Sequence, residues 1–297
     1  MRYIDEAAVA GVLRMPELIA AMRQTMIDFS ARRVAQPTRR MFEVPQHGGY
    51  FGSMPAASAD AMGAKLVTFY PHNPDKNLHS HMAIVALFEP ETGAPLALMD
   101  GRLITEMRTA AVTAAYVDAV AAHGVKSLAI LGAGTQAKSH VDALSQVRRF
   151  DDIRIWNRTR WRAEQLAASF GGRATSCEEA VRGADVVIAV TASREPVFDG
   201  CWLKPGVKVA SVGWSGADAG ELDATTMSHT VVVDSRDGAL AESGNVRRHS
   251  AQIHAELGEV LSGLRPVAAD ATVVFDSIGM ACQDIAAAAL VYRRLIG

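Results

Sequence analysis

Residues 126–137, Lys-Ser-Leu-Ala-Ile-Leu-Gly-Ala-Gly-Thr-Gln-Ala, constrain this chain more than any other stretch. Ser127–Leu131 is a short apolar run that reads as a buried strand. Gly132, Gly134 and Ala137 follow it at the spacing of a dinucleotide-binding strand–turn–helix. Gly132 allows the tight turn, Gly134 lets backbone approach a pyrophosphate, and small Ala137 lets the helix pack close to the strand, its positive N-terminus facing the phosphates. Ala133, Thr135 and Gln136 complete the expected phosphate-binding loop. Alone, such a spacing is weak, because many strand-to-helix joints need glycine for geometry only.

A second apolar strand, 153–156, ends where this pattern expects an acidic residue for the ribose 2′-hydroxyl; Asn157-Arg158-Thr159 stands there instead. A carboxylate would repel a 2′-phosphate, whereas a guanidinium forks onto it and Asn and Thr add hydrogen bonds. The expected cofactor is therefore NADP(H) rather than NAD(H). Arg160 and Arg162 lie close by; Arg162 either joins the cofactor site or belongs to a merely basic surface.

The 297 residues admit two ordinary domains, and 30 basic against 32 acidic side chains leave no electrostatic footprint for nucleic acid or an anionic membrane. No apolar stretch is long enough to span a bilayer, and Asp5 and Glu6 stand where a secretory signal needs a basic flank and an apolar core. Cys177, Cys201 and Cys282 are far apart and form no C-x-x-C, which argues against a disulfide framework or structural zinc. A cytoplasmic protein without a metal site is expected. The histidines and Asp75 between 72 and 81 sit in a turn-rich segment whose spacing fits no metal site.

Apolar spacing predicts a helix over 16–33, strands at 41–44, 50–54, 63–69, 84–89 and 95–99, and a helix over 105–122. From 127 onward strands alternate with helices, at 127–131, 153–156, 186–190, 208–212 and 231–233; a small-residue helix covers 281–295. The fold class is α/β, a doubly wound Rossmann nucleotide domain at 119–280 with a discontinuous α+β domain at 1–118 and 281–297.

Several stretches together resemble the ornithine cyclodeaminase/mu-crystallin family, closest to its ketimine-reductase branch. They are Gln36-Pro37-Thr38-Arg39, Tyr50-Phe51-Gly52-Ser53-Met54-Pro55-Ala56, Ala64-Lys65-Leu66-Val67-Thr68-Phe69-Tyr70, Met99-Asp100-Gly101, Ile104-Thr105-Glu106-Met107-Arg108-Thr109-Ala110-Ala111, the 126–137 stretch, and Ser277-Ile278-Gly279-Met280-Ala281. The resemblance implies a homodimeric NAD(P)-dependent oxidoreductase whose discontinuous domain supplies both the dimer contact and the substrate pocket. It further implies that Arg39, Lys65 and Arg108 hold a substrate carboxylate or line the nicotinamide, with Met54 beside the substrate. By the same resemblance Ser80, His81, Thr191, Val212 and Ser277 are expected to line the cofactor and Asp234 to act as acid/base, and Glu242 is a candidate for the pocket wall. The residues alone leave blander roles open. Arg39 neighbours Arg40, Arg108 could cap a carbonyl, and Asp234 could merely close a strand. Lys65, in an otherwise apolar strand, needs a partner or a ligand.

Gly52 departs from the cyclodeaminase pattern, which has a glutamate there to receive a side-chain amine. The expected function is thus an NADPH-dependent reductase of small cyclic imino acids, ketimines such as pyrroline- or piperideine-2-carboxylate. The alternatives are an amino-acid or N-alkylamino-acid dehydrogenase, an ornithine cyclodeaminase-type lyase, and a non-catalytic NADPH-dependent binder.

Overall fold

The computed structural model describes residues 1–213 and 216–297. The chain divides into two compact units, Met1–Arg108 with Met280–Gly297, and Thr109–Gly279. The division falls between Arg108 and Thr109, in the first half of the helix Arg102–Val120, rather than near its end at 118/119.

The first unit is built on a six-stranded sheet of β1 (Arg2–Ile4), β2 (Arg40–Val44), β3 (Gly49–Ala57), β4 (Met62–Phe69), β5 (His81–Phe88) and β6 (Pro95–Asp100), in the order β1-β6-β5-β4-β3-β2. All pairs are antiparallel except β1 with β6. The five expected strands are present; β1 is too short to carry a period-two signal. Alternation sets the two faces: Gly63, Lys65 and Val67 of β4 are buried, while the residues between them are not. The C-terminal helix Ala281–Ile296 packs on β3, β4 and β5 and against the helix Met15–Ser30, which buries Leu18, Met22, Met26 and Phe29 at helical spacing. Close approach needs small residues, and a Cβ at Gly63 would lie 2.9 Å from Ile285 Cδ1. The other face carries Phe42, in ring contact with Phe51 at 5.5 Å, and Met82 and Ile84.

The second unit is an eight-stranded, wholly parallel sheet, in the order β13-β12-β14-β11-β10-β7-β8-β9. Its strands are β7 (Ser127–Leu131), β8 (Asp152–Trp156), β9 (Arg173–Ala174), β10 (Val186–Ala189), β11 (Lys208–Ser211), β12 (Thr230–Val233), β13 (Ile253–Glu256) and β14 (Val273–Asp276). Sequence periodicity leaves out β9, β13 and β14. The last is central, between β11 and β12, and has the same four-residue length as β10, β11 and β12. Tyr116 stacks on Phe275, centroids 5.0 Å apart, and its hydroxyl donates to Val273 O at 2.9 Å. The order reverses between β7 and β10, the place where a doubly wound sheet opens a crevice at the strands' carboxyl ends. Among the described residues no helix is long and apolar enough to cross a membrane, and no group of three or more His, Cys, Asp or Glu could hold a metal ion.

Candidate active site

In the first unit Lys65 points inward from β4 with 2% of its surface exposed, and its Nζ lies 2.6 Å from Asp284 Oδ2. Asp284, fully buried on the C-terminal helix, takes Arg108 Nε on its other oxygen at 2.9 Å. Arg108 Nη1 donates to Gln283 Oε1 at 2.7 Å. Two cations thus share one carboxylate. Burial lowers the Lys65 pKa to about 8; Asp284 opposes the shift, and Arg108 and Arg39 add to it. Asp284 lies below the usual carboxylate range despite its burial, because Arg108 and Lys65 favour its charged form. His81, which opens β5, is pushed to about 3 by burial and then by Lys65, so the imidazole is neutral. Met54 is buried on β3 directly across from Lys65. Arg39, half-buried just before β2, reaches this cluster through its charge on Lys65. Ser80 is tied to Tyr70 by a 2.7 Å backbone bond. Gly52 faces the same interior as Met54, and a Cβ there would fall 2.0 Å from Met41 Sδ.

Asp284 and Gln283 were invisible to motif reasoning, although one signal existed. Lys65 needs a counter-charge, and Asp284 is the single acid of a helix whose other residues through Val291, Gln283 apart, are small or apolar.

In the second unit the turn after β7 has the shape expected of it. Gly132 sits at φ +123°, where a Cβ would fall 2.8 Å from Val190 O, so the glycine is required by the approach of the chain leaving β10. Gly134 is the N-cap of the helix Thr135–Val147 and is exposed, and among the described residues nothing beyond its chain neighbours lies within 4 Å of where its Cβ would stand. Ala137 is wholly buried, and Ala133 and Thr135 flank Gly134. Gln136 Oε1 is a buried acceptor without a hydrogen-bond partner among the described residues. An open glycine cradle at the start of a thirteen-residue helix, with an unused acceptor beside it, fits a dinucleotide pyrophosphate and its ribose. Beyond β8, Asn157 Nδ2 donates to Thr159 O at 3.0 Å and fixes that turn, while Arg158 is exposed. The Arg162 guanidinium lies 5.4 Å from the ring centroid of exposed Trp161.

At the carboxyl end of β12, Asp234 is wholly buried; its Oδ2 accepts from Ser277 Oγ and from Gly279 N–H, both at 2.9 Å. Thr191 follows β10, and Val212 follows β11 with its N–H on Ala189 O. Glu242 ends the helix Arg236–Glu242, half-buried. Two further carboxylates escaped sequence reasoning. Glu221 accepts from Thr191, Ser211 and Gly213, and Asp276 at the end of β14 accepts from Ser243 Oγ and Asn245 Nδ2. Burial raises both, Asp276 to about 6. Glu221 sits in a turn-rich segment with no periodic signal, and Asp276 ends the strand that was missed.

The model of the ornithine cyclodeaminase/mu-crystallin family matches residues 3–297. The ketimine reductase mu-crystallin of Rattus norvegicus is 48% identical over 284 residues, which cover 93% of this chain and 91% of that protein. Among solved structures, the Delta(1)-pyrroline-2-carboxylate reductase of Thermococcus litoralis, in complex with NADH and L-proline, superposes with a TM-score of 0.95 at 32% identity, covering 99% of this chain and 97% of its own. An archaeal alanine dehydrogenase dimer with bound NAD reaches 0.94 at 28% identity, covering 99% and 95%. With both sheets, the open glycine turn and a whole-length match in agreement, the chain belongs to the ornithine cyclodeaminase/mu-crystallin family.

Proposed function

We propose that this protein is an NADPH-dependent reductase of small cyclic imino acids, ketimines of the pyrroline- or piperideine-2-carboxylate type. The observation that carries the reading is the buried Lys65–Asp284–Arg108 cluster, in which two cations share a single carboxylate and retain one net positive charge. A buried excess of positive charge is costly unless an anion completes it, and a substrate carboxylate is that anion. The ketimine and proline chemistry named for the rat and Thermococcus relatives points the same way.

The pyrophosphate would lie on the turn Gly132–Gln136, and the nicotinamide half toward Thr191, Val212 and Ser277. When bound, the reduced nicotinamide supplies the hydride that the C=N carbon accepts. Lys65, with Arg39 and Arg108, anchors the carboxylate and so orients the C=N bond. Asp234, with one oxygen fixed by Ser277 and Gly279, stabilises the protonated imine or supports delivery of the proton that the nitrogen carries into the amine. Gly52 offers no carboxylate for a terminal amine, and Met41 occupies the space one would need. This favours cyclic imines over ornithine.

Arg158 and Thr159 support NADPH, although the solved relatives carry NADH and NAD. Exposed apolar residues on the first unit's sheet, Phe42 at 60% and Ile84 at 40%, support a homodimer through that face, and three scattered cysteines with no C-x-x-C suit a reduced cytoplasm. The test is oxidation of NADPH and NADH with a panel of ketimine carboxylates, with ornithine as control. The reading predicts turnover with five- or six-membered rings and NADPH preferred. Ammonia release from ornithine with catalytic NAD would reverse it, and a monomeric mass by light scattering would remove the dimer.

A further inference from the structure

Glu221 belongs to no helix or strand and is 1% exposed, yet its carboxylate accepts four hydrogen bonds. Oε2 accepts from Thr191 N–H at 3.0 Å and from Thr191 Oγ1 at 2.5 Å; Oε1 accepts from Ser211 Oγ at 2.8 Å and Gly213 N–H at 2.9 Å. The first pair belongs to the chain leaving β10, the second to the chain leaving β11. One carboxylate therefore fastens two neighbouring exits of the parallel sheet. The fastening is tight, since a Cβ at Gly213 would fall 2.1 Å from Thr191 O and 2.6 Å from Glu221 Oε1.

Glu221 is itself held from behind. Its carbonyl accepts from Val197 N–H at 2.9 Å, and the next residue's N–H donates to Asn245 Oδ1 at 3.0 Å. Asn245 Nδ2 reaches Ser211 Oγ at 3.0 Å and Asp276 Oδ1 at 2.8 Å, which ties the arrangement to β14. Each carboxylate oxygen thus meets one backbone N–H, which can only donate, and one hydroxyl that donates to it here.

We propose that Glu221 is a positioning residue that sets the chain exits at Thr191 and Gly213 for dinucleotide binding, an inference that rests on the cofactor reading above. Substitution by glutamine separates this role from bulk packing. An amide has one carbonyl oxygen and one NH2 group, and each carboxylate oxygen of Glu221 faces one hydroxyl and one backbone N–H. The hydroxyls can rotate to accept from an NH2, but backbone N–H groups cannot. Whichever way the amide turns, either Thr191 or Gly213 loses its acceptor.

The experiment compares wild type, Glu221→Gln, Ser211→Ala and Val181→Ala. It reads NADPH and NADH affinity by fluorescence titration and hydrogen–deuterium exchange in peptides containing residues 191 and 213. Glu221→Gln is expected to weaken dinucleotide binding at least tenfold and to speed exchange at one of the two sites. Ser211→Ala, a fully buried position that removes one donor and leaves both backbone bonds, is expected to weaken binding about two- to tenfold; it carries the test if the glutamine variant fails to fold. Val181→Ala trims a core side chain away from the network and is expected to lower thermal stability with affinity unchanged. Wild-type affinity and exchange in both network variants would overturn the proposal, and so would an equal loss of affinity in Val181→Ala. If the wild type binds neither dinucleotide, the cofactor reading falls, while the exchange data still decide whether Glu221 fastens the two exits.

Discussion

The two units bury charge in opposite ways. In the first, Lys65 and Arg108 converge on Asp284, so each ion depends on another ion. In the second, Glu221, Asp234 and Asp276 are met by hydroxyls, an amide and backbone N–H groups. Removing one partner of an ion pair leaves an uncompensated charge, whereas neutralising a carboxylate among neutral donors leaves a mismatched hydrogen bond. The first kind of site should be brittle. The second should tolerate isosteric substitution and register it in chemistry or binding instead.

The largest contrast comes from paired Asp-to-Asn substitutions. Asp284→Asn strands Lys65 and Arg108 in the interior and is expected to lower stability by about 3–5 kcal/mol. Asp276→Asn is expected to cost no more than about 1–3 kcal/mol, since Ser243 can turn its hydroxyl toward the amide. Urea denaturation of both variants at pH 7 measures the difference. Equal losses would mean that the first unit's charges are compensated elsewhere, and that the comparison fails.

Next in size is the split between binding and turnover. If, as proposed, the Lys65 cation holds the carboxylate in ground and transition states alike, Lys65→Met should chiefly raise KM for the imino acid. Asp234→Asn keeps an oxygen for Ser277 and Gly279 and should chiefly lower kcat, about a hundredfold. Steady-state kinetics with a saturating reductant distinguishes them. Wild-type kcat for Asp234→Asn across the pH range would return Asp234 to a strand-closing role.

A smaller effect is expected at the rim of the second unit, where Arg158 is exposed. Arg158→Ala should weaken NADPH by about 1.5–3 kcal/mol, the worth of a hydrogen bond to a charged group, and leave NADH nearly unchanged. Equal weakening of both dinucleotides would place Arg158 away from the 2′-phosphate.

What could be read from the sequence divides along a physical line. Local geometry was legible: the Gly132 turn, the run 127–131 and the alternation of β4 are dictated by residues adjacent in the chain. Charge pairing was legible only by half, since Lys65 announces a need that is met 219 positions later by Asp284 (284 − 65 = 219), and the fold alone brings them together. Glu221 gave no signal. Its partners come from two strand exits, and its neighbour Asn245 is anchored through Asp276 of β14, contacts between residues far apart in the chain that periodicity does not encode.

Proton equilibria at Lys65 refine the comparison further. The charged groups that act on it are Asp284 from the C-terminal helix, Arg108 from the helix Arg102–Val120 and Arg39 ahead of β2, while Lys65 in turn helps keep His81 of β5 neutral. Burial is the largest influence and brings the ammonium pKa from 10.5 to about 8, while His81 stays neutral above about pH 3. As pH rises through about 8, Lys65 gives up its proton and the carboxylate anchor weakens. KM for the imino acid should then climb, by up to about tenfold per pH unit. Stability should move the other way. In the unfolded chain the same lysine keeps its proton to about 10.5, so between about 8 and 10.5 the unfolded state binds more protons and stability increases with pH; below about 8 both states are protonated and the contribution is flat. Lys65→Arg, which does not titrate in this range, should flatten the KM profile without removing the charge. A wild-type KM that stays constant from pH 7 to about 9.5 would mean that Asp284 holds Lys65 fully protonated, and that the first unit keeps its net positive charge throughout.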